Sequence, residues 1–392
     1  MTPRQRVLGA LDRTGYDRIP VRHEAVPEVN SMLLAHLGLA NSEQLLRVLG
    51  DDFRYIAPTY VGRELRSFPD GSVEGYWGER YTYVQYEGGR YLESTYMPFA
   101  DVDRTADLDR TLFPSADAFD FSTIGPQCDA LGGRYAVCFG GAGDMDFINS
   151  IARARGVQRV LFDLATDDPV YNALLDARFE FYYRMHERTL QAADGRIDIV
   201  HVGDDFGTQR GPLISEATFE KYFVPRYAAY FDMAHRYGAR TMMHMCGCVE
   251  PFLSRLIEIG LDIQDVVQPT TPEMDIAALN ERYGDRLAFS GSMCVQTVLP
   301  HGSVEDVRRE VQRRRAIFAK GGLLLGPTHA IQVNTPLANI LAMYEAAGSL
   351  TDPADAIVTA PRPEHWPDQS DRAGLSSFSG AGDSVKASEP RP

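Results

Sequence analysis

His244 and Cys246 stand two residues apart at the end of "ARTMMHMCGC", an apolar run with strand composition. Side chains at i and i+2 leave a strand on the same face, and imidazole and thiolate are both zinc ligands. Gly247 lets the chain turn sharply straight afterwards. A core histidine beside a buried cysteine would leave the same letters, so the pair needs a ligand from elsewhere. The segment "GPTHAIQVNTP" supplies one, His329, at the end of a second apolar run. His244, Cys246 and His329 would make three protein ligands with a fourth position open, which is the pattern of a catalytic zinc and not a structural one. Cys248 and Cys294 are reserve thiols, the latter just past the end of another run.

Carboxylates and amides come next. Asp204 and Asp205, in "HVGDDFGTQRGPLIS", follow a strand-like run and are placed for polar work on a substrate. A carboxylate near a bound zinc can also orient a histidine ligand or carry a proton. Loop caps and turn bonds are the competing use of such a pair. Gln209 and Gln332 sit in comparable loops and are candidates to grip a substrate, as are His23 and Glu24 near the end of the first strand.

These residues must be brought together by strands. Eight apolar runs alternate with longer amphipathic stretches, the pattern of βα units. They span residues 19–26, 53–58, 135–140, 197–203, 240–245, 262–268, 287–292 and 323–329. Helical stretches lie between them, with Ser215 and Ser303 at N-cap positions and glycines after "RYG" and "AKGG". A doubly wound sheet would carry a G-x-G-x-x-G loop after its first strand, and "GGAGDMDF" lacks that spacing. The expected fold is α/β, a (β/α)8 TIM-type barrel occupying residues 1–360. Residues 60–98 alternate tyrosines with charges across "PDG" and "EGG" turns, so a β-hairpin insertion is expected after the second strand, over the barrel mouth. Residues 361–392 are polar, Gly/Ser-rich and unpatterned, the composition of a disordered tail.

Composition excludes several partners. The net charge is −15 and supplies no basic stripe for nucleic acid. No apolar run reaches the roughly 18–20 residues of a membrane span, and the N-terminus lacks a signal-peptide pattern, so a cytoplasmic protein is expected. Five cysteines is an odd and sparse set, which suits reduced thiols better than a disulfide scaffold.

With these motifs assembled, the chain resembles the uroporphyrinogen decarboxylase superfamily from about Arg4 to Ala347. The resemblance is carried by "RQRVLGALDRTGYDRIPV", "GDDFGTQRGPLIS", "HMCGCVEPFLSRLIEIGLDIQDVVQP", "YGDRLAFSGSMCVQTVLPHGS" and "GPTHAIQVNTPLANILAMYEAA". Its tetrapyrrole decarboxylases carry an "RQAGR"-type stretch where this chain has "VRHEAVPEV", so that branch fits poorly. Its corrinoid methyltransferases hold zinc with a His-x-Cys pair, which His244 and Cys246 match, and commonly with a further cysteine, where this chain offers His329. The resemblance implies a zinc-dependent methyltransferase moving a methyl group between a small methylated compound and cobalamin on a separate corrinoid protein. An aromatic methyl ether is one such donor, because Lewis-acid polarisation helps an ether oxygen depart. A homodimer is also implied. Tyrosines of the insertion would either line an aromatic pocket or form cross-strand pairs, the latter for most of them. The rival readings are a metal-independent decarboxylase of a tetrapyrrole-like or other carboxylic acid and a non-catalytic zinc-binding barrel.

Overall fold

Among the described residues, twelve strands occur in chain order: β1 (Phe53–Ile56), β2 (Thr59–Tyr60), β3 (Val73–Glu74), β4 (Arg80–Tyr86), β5 (Gly89–Tyr96), β6 (Phe119–Asp120), β7 (Ala136–Met145), β8 (Ile199–Gly203), β9 (Arg240–His244), β10 (Ile263–Val267), β11 (Ala288–Met293) and β12 (Leu323–Pro327). This computed structural model describes residues 1–86 and 89–357. The expected tail from Pro361 onward lies outside the described residues, as do Glu87 and Gly88 of the "EGG" turn.

Seven of the strands form one parallel sheet in the order β1-β7-β8-β9-β10-β11-β12, with helices between successive members. Every residue of β8, β10, β11 and β12 is buried. That is why these strands read as mostly apolar runs broken by a few polar residues and not as alternating ones. The first expected strand, over residues 19–26, is present only as isolated bridges from Val21 to Leu325 and from Ala25 to Ile331. It nevertheless closes the barrel. Arg22 N donates to Leu325 O and Leu325 N to Pro20 O, both at 2.8 Å, while on the other flank Asp52 N donates to Val21 O at 3.1 Å. The ladder is incomplete because Pro20 has no N–H and because the Asp51 side chain, not a backbone carbonyl, accepts from His23 N at 2.6 Å. The architecture is therefore a TIM-type α/β barrel whose eighth stave is irregular.

Inside the barrel, alternation sets two layers. The lower one is apolar: Phe53, Tyr55, Ala136, Cys138, Ile199, Met242, Ile263, Ala288 and Leu324 pack with Val7 and Leu11 of the first helix, Pro3–Leu11, which stoppers that end. Two residues further along, the same strands present His201, His244, Asp265 and Ser290, so the upper layer is polar. The carboxyl ends of the strands and the loops after them lie above it.

The insertion is larger than its expected bounds of 60–98. β3, β4 and β5 form an antiparallel sheet, but β2 pairs with β6, so the excursion from the barrel runs on past Asp120. Tyr76 and Tyr81 are buried, whereas Tyr83, Tyr91 and Tyr96 are exposed. Arg90 stacks over Tyr83 and Arg80 over Tyr96, and Tyr86 lies against Tyr91 across the hairpin. Cross-strand packing accounts for these rings. The hairpin is fastened at both sides: Arg90 N donates to Glu28 Oε1 at 3.3 Å, and Ser94 Oγ to Arg153 O at 2.5 Å.

The helix expected over residues 215–238 is broken into Glu216–Thr218, a π-turn at Phe219–Phe223 and Val224–Arg236. Pro225 has no N–H to donate back to the Lys221 carbonyl, and the wider turn absorbs the gap. Ser215 and Ser303 cap their helices as expected, the second in a capping box with Asp306. Near the end of the Val224–Arg236 helix, His235 Nε2 lies 2.8 Å from Asp262 Oδ2, which also accepts from Thr241 N at 2.8 Å. This ties the helix to the foot of β9. The hydrogen bond to Asp262 raises the pKa of His235 in the folded protein. Its stabilisation is fully present below the ordinary imidazole range and fades as pH rises through the raised value. His235→Gln should therefore lose more stability in mildly acid than in alkaline buffer, as read by urea unfolding at both pH values. Among the described residues, no helix is long and apolar enough to cross a membrane.

Candidate metal centre

β9 delivers His244 to the barrel interior because Met242, two residues earlier, faces the apolar layer. The next two residues leave the strand, and Cys246 stands beside the ring with its Sγ 3.4 Å from His244 Nε2. His329 arrives from the loop after β12, its ring centroid 5.8 Å from that of His244. Ligand atoms of His244, Cys246 and His329 all lie within 4.8 Å of one another. His244 is buried, Cys246 half-buried and His329 exposed, so the group opens outward.

The donor chemistry fits a divalent ion such as zinc. Two imidazoles and one thiolate are ordinary zinc donors, and they leave one position of a tetrahedron free. His244 Nδ1 lies 3.1 Å from Asp265 Oδ2. A carboxylate on that nitrogen fixes the ring and leaves Nε2, the atom beside Cys246, to meet a metal. Burial opposes a charged His244 ring, yet Cys246 and Asp265 hold its pKa well above the ordinary value. Burial raises the Cys246 thiol, with His244 opposing it. The pKa of His329 is shifted down, first by desolvation and then by His244, the direction that favours a neutral ring.

Backbone packing fixes the Cys246 loop. Gly247 has φ +78°, and a Cβ there would come within 2.6 Å of Thr208 O. On the facing loop, a Cβ on Gly207 would meet Cys246 O and Cys248 O at 2.7 Å. Two glycines thus allow two loops to touch main chain to main chain. Asp205 Oδ1 accepts from Cys246 N at 2.8 Å, and its Oδ2 accepts from Asn149 Nδ2 at 2.7 Å. Gln268 Oε1 takes Gly247 N at 3.0 Å and Gln209 Nε2 at 2.8 Å.

Among the other residues singled out from sequence, the structure brings Glu24 to the group. Arg22 Nη2 donates to Glu24 Oε2 at 2.9 Å, and His329 and His244 both act on Glu24 electrostatically. Burial works against its charge, but Arg22 keeps its pKa below the ordinary value. Asp204 is placed elsewhere. Its Oδ2 accepts from Phe147 N at 3.1 Å and Tyr227 OH at 3.2 Å, and its Oδ1 from Ile148 N at 3.1 Å, so it clamps the loop after β7. His23 is also committed away from the cluster, with Nδ1 2.6 Å from Tyr344 OH and Nε2 2.8 Å from Asn30 Oδ1. Gln332 Nε2 donates to the nearby Ala330 O at 2.9 Å. Cys248 and Cys294 are buried and belong to neither ligand group found among the described residues.

Sequence reasoning missed the layer beneath. Asp265 is fully buried and accepts from Arg22 Nη2 at 2.7 Å on Oδ1. Burial notwithstanding, Arg22 and the two imidazoles keep its pKa well below the ordinary carboxylate value. Arg22 Nη1 donates to Tyr55 OH at 3.3 Å, which lies 3.3 Å from His201 Nδ1. His201 Nε2 in turn is 3.3 Å from Asp265 Oδ2, without the alignment of a hydrogen bond. The signal was available: a polar residue in phase with the apolar interior positions of a barrel strand must face its neighbours on the adjacent strands.

One family model and one solved structure agree with this architecture. Residues 147–350 match the model of the family described as uroporphyrinogen decarboxylase (URO-D). A search of curated protein sequences finds no match. Among solved structures, a methyltransferase from Methanosarcina mazei superposes with TM-score 0.61 at 17% identity, covering 89% of this chain and 98% of that one. A D-psicose 3-epimerase from Clostridium cellulolyticum H10, solved with D-tagatose, gives TM-score 0.33 at 11% identity, covering 67% of this chain and 83% of that one. The family match takes in more than half of the 392 residues, from the loop after β7 through β12 and the helix beyond it, and the protein belongs to the uroporphyrinogen decarboxylase family.

Proposed function

We propose that this protein is a zinc-dependent methyltransferase that moves a methyl group between a small methylated compound and cobalamin carried on a separate corrinoid protein. The observation carrying this reading is the open convergence of His244, Cys246 and His329 on one point at the barrel mouth. The likeness in fold to a methyltransferase supports it. His244 Nε2, Cys246 Sγ and one His329 nitrogen would hold the metal. Bound zinc supplies Lewis acidity, which makes an ether oxygen a better leaving group or keeps a thiol deprotonated.

The chain's own residues do the rest. Asp265 keeps the His244 ring turned so that Nε2 faces the mouth. Asp205 acts through Cys246, fixing that residue's main chain by its N–H, and is a positioning residue in this reading. Glu24, held ionised by Arg22, sets a fixed negative charge beside His329. Two nitrogens and one sulfur leave less negative charge on the metal than one nitrogen and two sulfurs would. That favours oxygen donors, so an O-demethylating reaction on a methyl ether is the preferred form.

The test is a methyl-transfer assay with cob(I)alamin, measured before and after chelation, on methoxylated aromatics and on thiols. Methylcobalamin formation from an ether that stops on chelation and returns with zinc is the expected result. Carbon dioxide release from a carboxylic acid that persists through chelation would replace this reading with the decarboxylase. A filled fourth protein ligand, seen as zinc whose spectroscopic cobalt substitute does not respond to added thiol, would favour the non-catalytic barrel.

A further inference from the structure

His244 belongs to two ligand groups, one on each ring nitrogen. Outward, its Nε2 joins Cys246 and His329; inward, its Nδ1 joins His201 and Asp265, whose ligand atoms also lie within 4.8 Å of one another. The inner three are all buried. Both sets have donors that take zinc or cobalt, so something must disqualify the inner one.

Arg22 acts on that inner group along two routes, one direct and one through Tyr55. Its Nη2 lies 2.7 Å from Asp265 Oδ1, which places a permanent cation where a metal would otherwise balance the carboxylate. Its Nη1 donates to Tyr55 OH, whose oxygen lies 3.3 Å from His201 Nδ1, so the phenol is placed to donate to that nitrogen. A His201 ring accepting at Nδ1 carries its hydrogen on Nε2, and that nitrogen then has no lone pair for a metal. It is the nitrogen that points at Asp265 without a hydrogen bond of its own. One guanidinium thus bears on two of the three inner ligands, directly on Asp265 and through Tyr55 on His201, and Asp265 is left as the partner of His244 Nδ1.

We propose that Arg22 is a positioning residue that confines the barrel to one metal ion, on the Nε2 face of His244, by disabling the rival ligand set His201–His244–Asp265 beneath it. The proposal rests on the zinc reading above. It assigns Arg22 a selective role that an ordinary buried ion pair does not have.

The experiment titrates cobalt(II) into apo-protein, following stoichiometry and the thiolate-to-cobalt charge-transfer absorption. The parent should take up about one cobalt per chain, with the thiolate band. Arg22→Met and Arg22→Gln remove the cation, and Gln keeps a polar group in place should Met fail to fold. Either folded variant should bind a second equivalent, or bind one whose thiolate band has fallen several-fold. Arg22→Lys, which keeps the charge, should match the parent in stoichiometry. A single equivalent with unchanged band and affinity in Met or Gln variants overturns the role of Arg22 and leaves the outer site standing. A parent without the thiolate band overturns the zinc reading itself, and this inference with it.

Discussion

Cys246→Ser should leave purification essentially without zinc, its affinity lower by at least about 100-fold, while its far-UV circular dichroism matches the parent. The thiolate is the one anionic donor among the three, and serine's hydroxyl is a far poorer ligand near neutral pH. His244 and His329 remain, but two neutral imidazoles at an open mouth hold zinc weakly. His329→Ala should lose the metal too, since its ring is the donor that the loop after β12 brings to the group. Cys248→Ser and Cys294→Ser should retain it, because both thiols stand outside the group. The fold should survive every one of these changes, since the barrel core is apolar and does not depend on the ligands. Metal analysis of the variants, beside their thermal melts, decides the matter. Full zinc in Cys246→Ser would move the metal elsewhere and remove the basis for methyl transfer.

The second large effect is on stability. Asp204→Ala should cost roughly 3 kcal/mol, because it strands two buried backbone N–H groups at about 1–3 kcal/mol each. Those groups belong to Phe147 and Ile148, which open the loop after β7, and Tyr227 OH loses a partner as well while keeping Gly203 O at 3.1 Å. Zinc content should stay that of the parent, since no ligand touches this carboxylate. Urea unfolding gives the loss directly. A variant as stable as the parent but devoid of turnover would instead return Asp204 to the chemistry, as the decarboxylase reading requires.

The pair of predictions shows which features the amino-acid order discloses. Seven barrel strands are evident from composition because burial on both faces makes them short, mostly apolar runs, as Leu323–Pro327 illustrates. The eighth is evident as a run, yet its pairing is broken by Pro20 and by the side chain of Asp51, neither of which alters hydropathy. The His244–Cys246–His329 group is legible because the strand period and the strand ends fix where each side chain emerges. Asp204 and Asp205 are adjacent letters with divergent tasks, since one carboxylate turns to the loop after β7 and the next to Cys246. Nothing in two consecutive aspartates specifies that split; it depends on backbone from elsewhere in the chain. Arg22, Tyr55, His201 and Asp265 come from four different strand regions, and only their meeting inside the barrel, with the Tyr55 hydroxyl reaching from the layer below, unites them. That meeting follows from inter-strand register, which apolar patterning leaves open.

The stopper formed by Val7 and Leu11 has a consequence for timing. The interior beneath the ligand cluster is packed and this helix covers its far end, so in the proposed reaction the mouth would be the doorway that both reactants share. A macromolecular carrier seated on that doorway would shut out the small reactant, so the small reactant has to enter before the carrier arrives. The order of events in each turnover would then be dictated by a hydrophobic helix at the opposite end of the molecule, which never meets either reactant.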